Sequence, residues 1–391
     1  MPAITDALRR LNPWHKDPPP PLPSLPASTA YTLLILYALG YFVPFYLSRT
    51  TRPSFTLSRD APSVIRARIR SVTLSCLTCS VVTFFVLLRA GNGGGDGGKA
   101  VSGKDALHLM GLWPVGVWET VRAVGLTAVL FAGPLYSYLL VDRGWKDWAR
   151  LAPVTEVWGE WTTFRNIVAG PITEEILFRT ASIPLALLSS PSPSGSPSLS
   201  PTKIIFLTPI LFGLAHVHHF YEFRFTHPHV PIAHALIRSA FQFAYTTLFG
   251  AYATFLFLRT GSLVAVCAVH AFCNCMGLPQ VRGRVEPEVI YEEEEEEGPV
   301  TGAGVPVLAG GDAGAGGDGG NAGEGYGATD TGNDTGPGPA TGRTFSRVRS
   351  RPSILWTVAY YTLLVGGAVG WYRNLWTLSE SGNALVPSSA F

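Results

Sequence analysis

The sequence predicts an all-α fold, a polytopic membrane helical bundle of about eight transmembrane helices. Three observations carry that expectation. Of the 391 residues, 47% are hydrophobic and only 14% charged, whereas a soluble chain carries about a quarter charged residues. The apolar residues gather into runs of about 20, the length needed to cross a bilayer as helix. Between the runs lie Pro-, Gly- and Arg-rich stretches of loop composition. A net charge of +2 gives no electrostatic reason to expect nucleic acid or an acidic partner.

The spans follow in order. Residues 1–28 form a Pro-rich N-terminal segment with no short apolar core behind its basic residues, unlike a cleavable signal. The first span is 29–48 and the second, 71–88, follows an arginine-rich loop; a glycine-rich loop then leads to the third, 121–141. The fourth, roughly 164–188, contains "GPITEEILFRT" and ends in a Ser/Pro linker at 189–201. The fifth (203–220), sixth (about 232–258) and seventh (262–279) close a core over 29–281. Residues 282–350 hold six consecutive glutamates and a Gly/Ala/Asp/Thr tract, which is expected to be disordered. A last span (353–372) and tail occupy 351–391. The five cysteines lie in or beside apolar segments and read as small packing residues.

Arginine placement orients the bundle. The 49–70 loop holds six arginines, and the 143–150 loop and the 343–351 segment are also basic. With eight spans these three fall on one side, which the positive-inside rule makes cytosolic. Arg122, alone in the third span, is expected to snorkel.

Ionisable residues inside apolar spans are the functional signal. Each costs about 2.5–3.5 kcal/mol at a membrane helix centre, so its presence asks for a pairing partner or a wet cavity. Glu174, Glu175 and Arg179 lie in the fourth span, His216 in the fifth, His270 and Asn274 in the seventh. Glu175 and Arg179 are spaced i, i+4 and can pair; His270 and Asn274 share that spacing, which aims both one way. Glu174 points about 100° from Glu175, free for another partner. At 1.5 Å per residue, Glu174, His216 and His270 fall at similar depths, about 15, 20 and 12 Å from where their spans enter. Three clusters at one depth suggest one site. A glutamate and a histidine sharing a water deprotonate it for attack on a carbonyl, while a second histidine and an asparagine amide suit the oxyanion. His218 and His219, at the end of the fifth span, read as satisfied interfacial residues.

"PITEEILFRT", "FGLAHVHH" and "HAFCNCMGLP" resemble the three motifs of the type II CAAX prenyl endopeptidase family, within the wider CPBP/Abi membrane proteins. "RDAPSVIRARI" and "QFAYTTLFGAYATFLFLRTGSL" resemble its eukaryotic branch. The resemblance implies an intramembrane peptidase in the endoplasmic reticulum membrane, with a catalytic cavity open to the cytosol. It implies removal of the C-terminal tripeptide from farnesylated or geranylgeranylated CAAX proteins. It makes Glu174 and His216 the water-activating pair, His270 and Asn274 the oxyanion donors, and Glu175 and Arg179 supporting residues, with no metal and no cofactor. Two other readings stand beside it. One is a zinc peptidase using His216, His270 and a glutamate, although no His-Glu-x-x-His motif is present. The other is a non-catalytic membrane scaffold docking partner helices through the polar cluster.

Overall fold

The computed structural model describes residues 25–92, 101–190, 199–285 and 353–391. All of them belong to one compact unit. The expected disorder of the acidic, Gly-rich tract falls, from 286 on, outside the described residues, as do residues 1–24 and most of the Ser/Pro linker.

Each of the eight apolar runs is helical, but they differ in kind. Five helices are long and apolar enough to cross a membrane, or six if one bent pair counts as a single span. The protein is therefore a multi-pass membrane protein. The long helices are α1 (Ala27–Phe42, continued by Pro44–Leu47), α2 (Pro62–Asn92), α5 (Pro201–His216, continued by α6, His218–Thr226), α7 (Ile232–Thr260) and α9 (Ile354–Ser379).

The other three runs depart from simple spans for identifiable reasons. The third is α3 (Val117–Leu130) followed by Ala132–Val141, bent by 83°. Pro134 lies four residues after Leu130, so its ring crowds that carbonyl and a hydrogen bond is lost. The fourth run is a broken helix. Trp161–Phe164, a wide π-turn at Arg165–Ala169, α4 (Gly170–Glu175), a second π-turn at Ile176–Ala181, and Ile183–Leu188 follow one another. Pro171 and Pro184 interrupt its hydrogen-bond ladder. The seventh run, α8 (Leu263–Met276), is a helix of 14 residues, shorter than a full crossing needs.

Side chains of α2 donate to two carbonyls of the fourth run. Cys76 Sγ donates to Thr173 O at 3.1 Å, and Thr83 Oγ1 to Ala181 O at 2.8 Å. These contacts hold α4 against α2.

Close helix contacts position the remaining pieces. At Gly213 on α5 an added Cβ would lie 2.2 Å from Thr247 Oγ1 of α7, so only glycine lets these helices approach so nearly. The α7–α8 junction turns on two residues. Gly261 adopts φ 58° and ends α7, and Ser262 accepts a hydrogen bond from Ala265 N to start α8.

Arg122, expected to snorkel, has protein partners. It donates to the carbonyls of Thr377 and Glu380, and Arg259 Nη2 donates to Trp376 O at 3.1 Å. Two guanidiniums thus satisfy unpaired carbonyls at the C-terminal end of α9, where the helix dipole favours positive charge.

Candidate active site

Polar side chains from α1, α4, α5, α8 and the second π-turn meet inside the bundle. The most buried part is an ion pair. Arg179 Nε lies 3.1 Å from Glu175 Oε2, and Arg179 Nη1 donates to Glu175 Oε1 at 3.1 Å. Both side chains are essentially inaccessible. Arg179 also donates to Gly250 O of α7 at 3.2 Å, and Phe212 covers the guanidinium with its ring centre 4.7 Å away. Removing one member of such a pair leaves an uncompensated buried charge, at a cost of about 3–5 kcal/mol.

His270 joins this pair to the more open part of the cluster. Its Nδ1 lies 2.7 Å from Glu175 Oε1. A carboxylate only accepts, so Nδ1 carries the proton, and Nε2 faces Glu174 Oε2 at 3.7 Å. His216 is held in a parallel way. Its Nδ1 donates to Phe212 O at 2.7 Å, and its Nε2 faces Glu174 Oε1 at 3.8 Å. Glu174 is therefore flanked by two imidazoles, one toward each oxygen, at distances too long for a direct hydrogen bond and suited to an intervening water.

The structure thus brings together Glu174, Glu175, Arg179, His216 and His270, residues from three sequence-distant motifs. Asn274, one turn from His270 on the same helix, has a partner outside this group. Asn274 is exposed, and its Nδ2 donates to Asn166 O at 2.8 Å. Asn166 belongs to the first π-turn, whose wide winding leaves this carbonyl open to a side-chain donor. One amide hydrogen of Asn274 remains for another acceptor.

Tyr41 was not foreseen. Its hydroxyl donates to Glu174 Oε1 at 3.2 Å from α1, 133 residues away. A tyrosine in an aromatic run of the first span reads as packing, and indeed Tyr41 also contacts Phe45 and Phe178 edge-on. Nothing in its local spacing marks it.

His218 and His219 meet a buried acid that the sequence did not single out. His219 Nδ1 lies 3.1 Å from Glu222 Oε2, and His218 stacks on Phe42 with 5.4 Å between ring centres. Donor atoms of His218, His219 and Glu222 all lie within 4.8 Å of one another. Glu222, however, is already engaged by Arg68 at 2.6 Å and approached by Arg59 at 3.6 Å. A divalent cation on this carboxylate would face two guanidiniums, so the group reads as a salt-bridged anchor.

Taken with the spans, this cluster defines a class: a polytopic membrane protein with a charged, hydrogen-bonded site enclosed by apolar helices. Comparison with known proteins narrows it. Residues 156–276, which hold Glu174, His216, His270 and Asn274, match the family described as Type II CAAX prenyl endopeptidase Rce1-like. A Schizosaccharomyces pombe protein named "Probable CAAX prenyl protease 2" is 33% identical over 255 residues, covering 65% of this chain and 83% of that protein. CAAX prenyl protease 2 of Caenorhabditis elegans is 37% identical over 227 residues, covering 56% and 74% of the two chains. That of Arabidopsis thaliana is 30% identical over 277 residues, covering 66% and 80%. No solved structure gives a significant match. The chain belongs to the type II CAAX prenyl endopeptidase family and is a peptidase.

Proposed function

We propose that this protein removes the C-terminal tripeptide from prenylated CAAX proteins, with Glu174 and His216 activating the attacking water. The observation that carries the mechanism is the pair of facing acceptors. His216 spends its Nδ1 proton on Phe212 O, so its Nε2 presents a lone pair toward the Glu174 carboxylate, 3.8 Å away. Two acceptors at that distance cannot bond each other. A water between them donates one hydrogen to each and exposes its own lone pair to a carbonyl carbon.

Attack forms the carbon–oxygen bond, and the water's proton passes to the Glu174–His216 pair. Collapse of the tetrahedral intermediate breaks the carbon–nitrogen bond, and the stored proton leaves with the amine of the tripeptide. Glu175 holds the Nδ1–H of His270 and so aims Nε2 toward the developing oxyanion, which it serves as a donor when Nε2 also carries a proton. The remaining amide hydrogen of Asn274 is the second donor. Glu175 and Arg179 fix the ring of His270, and Tyr41 fixes the carboxylate of Glu174.

On this reading the substrates are farnesylated or geranylgeranylated proteins, whose prenyl chain stays in hydrocarbon while the peptide enters the polar cluster. The enzyme acts in the endoplasmic reticulum membrane with its site open to the cytosol. The test is peptide release by purified protein in lipid. A farnesylated peptide ending in a CAAX sequence loses its last three residues, and its unprenylated twin does not. Equal cleavage of both contradicts lipid-assisted recognition.

A further inference from the structure

Three guanidiniums and two carboxylates meet beside the cluster: Arg59, Arg68 and Arg165 with Asp60 and Glu222. By count this group carries an excess of positive charge. Two of the arginines are tied by short hydrogen bonds. Arg68 donates to Thr51 O and, at 2.6 Å, to Glu222 Oε1. Arg165 donates to Asp60 Oδ1 at 2.6 Å and to Asn166 Oδ1 at 2.9 Å.

Arg59 is different. Its side chain is 43% exposed, and it approaches Asp60 only to 3.7 Å and Glu222 only to 3.6 Å. Both separations exceed a hydrogen bond. A guanidinium held between two acids but bonded closely to neither keeps its planar fork of donors for a ligand. The group that fits this fork is a carboxylate.

Contacts tie Arg59 to the site from two sides. On one side Glu222, its neighbour, holds His219, whose ring centre lies 6.0 Å from that of His216. On the other, Asp60 holds Arg165, and the next residue, Asn166, holds Asn274, one turn from His270. The two paths leave from opposite sides of Glu174 and meet at Arg59. Its half-exposed guanidinium is thus linked through Glu222 to His219, beside His216, and through Asp60 and Arg165 to the segment that holds Asn274.

We propose that Arg59 binds the C-terminal carboxylate of the substrate. The inference rests on the reading above, in which a prenylated CAAX chain is cut after its cysteine. Three residues then lie beyond the scissile carbonyl, and in extended form they carry the terminal carboxylate about 10 Å from it. That anion is the feature distinguishing a chain end from the same residues inside a longer sequence. A cation set off from the hydrolytic water by a short relay of side chains reads it.

The experiment compares two farnesylated peptides of one CAAX sequence, one ending in the free acid and one in the amide, in reconstituted protein. Wild type is expected to cleave the acid about tenfold better in kcat/KM, the scale of a charge-assisted bond. The difference should lie mainly in KM. In Arg59→Ala the acid-over-amide preference collapses, and Arg59→Lys retains part of it. Equal cleavage of acid and amide by wild type overturns the proposal while leaving the proposed function standing, and that comparison needs no variant. Full acid preference in Arg59→Ala also overturns it. Cleavage of neither farnesylated peptide by wild type overturns the function itself, and this inference with it.

Discussion

The neighbours Glu174 and Glu175 occupy two different regions of one cluster. Around Glu175 every contact is short: His270 at 2.7 Å and Arg179 at 3.1 Å, with side chains 0–1% exposed for the ion pair. Around Glu174 the imidazoles stand off at 3.7 and 3.8 Å, and its side chain is 16% exposed. A closed, hydrogen-bonded carboxylate is fixed and charged, and serves to hold its partners. A carboxylate with water-sized gaps and some access is equipped to move a proton. The contrast is the ground for proposing that adjacent, chemically identical residues divide into support and chemistry by how tightly their partners close around them.

The sharpest way to break this contrast is Glu174→Gln. It keeps the volume and the Tyr41 contact but removes the proposed base, and turnover should fall roughly a thousandfold, within the usual range for a general base. Binding of a farnesylated CAAX peptide and the thermal unfolding midpoint should both stay close to wild type. Unchanged turnover would assign the chemistry elsewhere.

On the tight side, Arg179→Met strands Glu175 as a buried charge and should destabilise the fold by about 3–5 kcal/mol. The measurement is thermal unfolding in detergent. A midpoint within a degree of wild type would show that the pair is not structural. A smaller effect is expected from Tyr41→Phe, which deletes one donor to Glu174 while keeping the ring. The bond is 3.2 Å long, and losing a hydrogen bond to a charged group costs about 1.5 kcal/mol, near tenfold in kcat. KM should be little affected; a change confined to KM would make Tyr41 a substrate contact.

Much of this site was legible in the sequence, for a physical reason. Charges inside apolar spans are expensive, so Glu174, Glu175, Arg179, His216 and His270 stand out against their surroundings. The i, i+4 rule gave the Glu175–Arg179 pair directly. What stayed hidden depends on tertiary structure. Tyr41 looks like any aromatic of a membrane helix until α1 places it on Glu174. Asn274 shares a helix face with His270 by spacing, but its bond to the carbonyl of Asn166 is a tertiary contact that spacing does not give. The form of the spans stayed hidden too: hydropathy marks eight apolar runs but does not register a bend of 83° in the third or π-turns in the fourth. Those interruptions surround the two glutamates, where a regular helix would have satisfied its own backbone and presented the side chains differently.

The most direct measurement is an experimental structure with a non-cleavable prenylated CAAX peptide bound, at a resolution that shows water. A single water within about 3.2 Å of both Glu174 and His216 Nε2, facing the carbonyl that follows the prenylated cysteine, is the expected result. A metal ion bridging these side chains, or the two closed onto each other with the scissile carbonyl elsewhere, would contradict it.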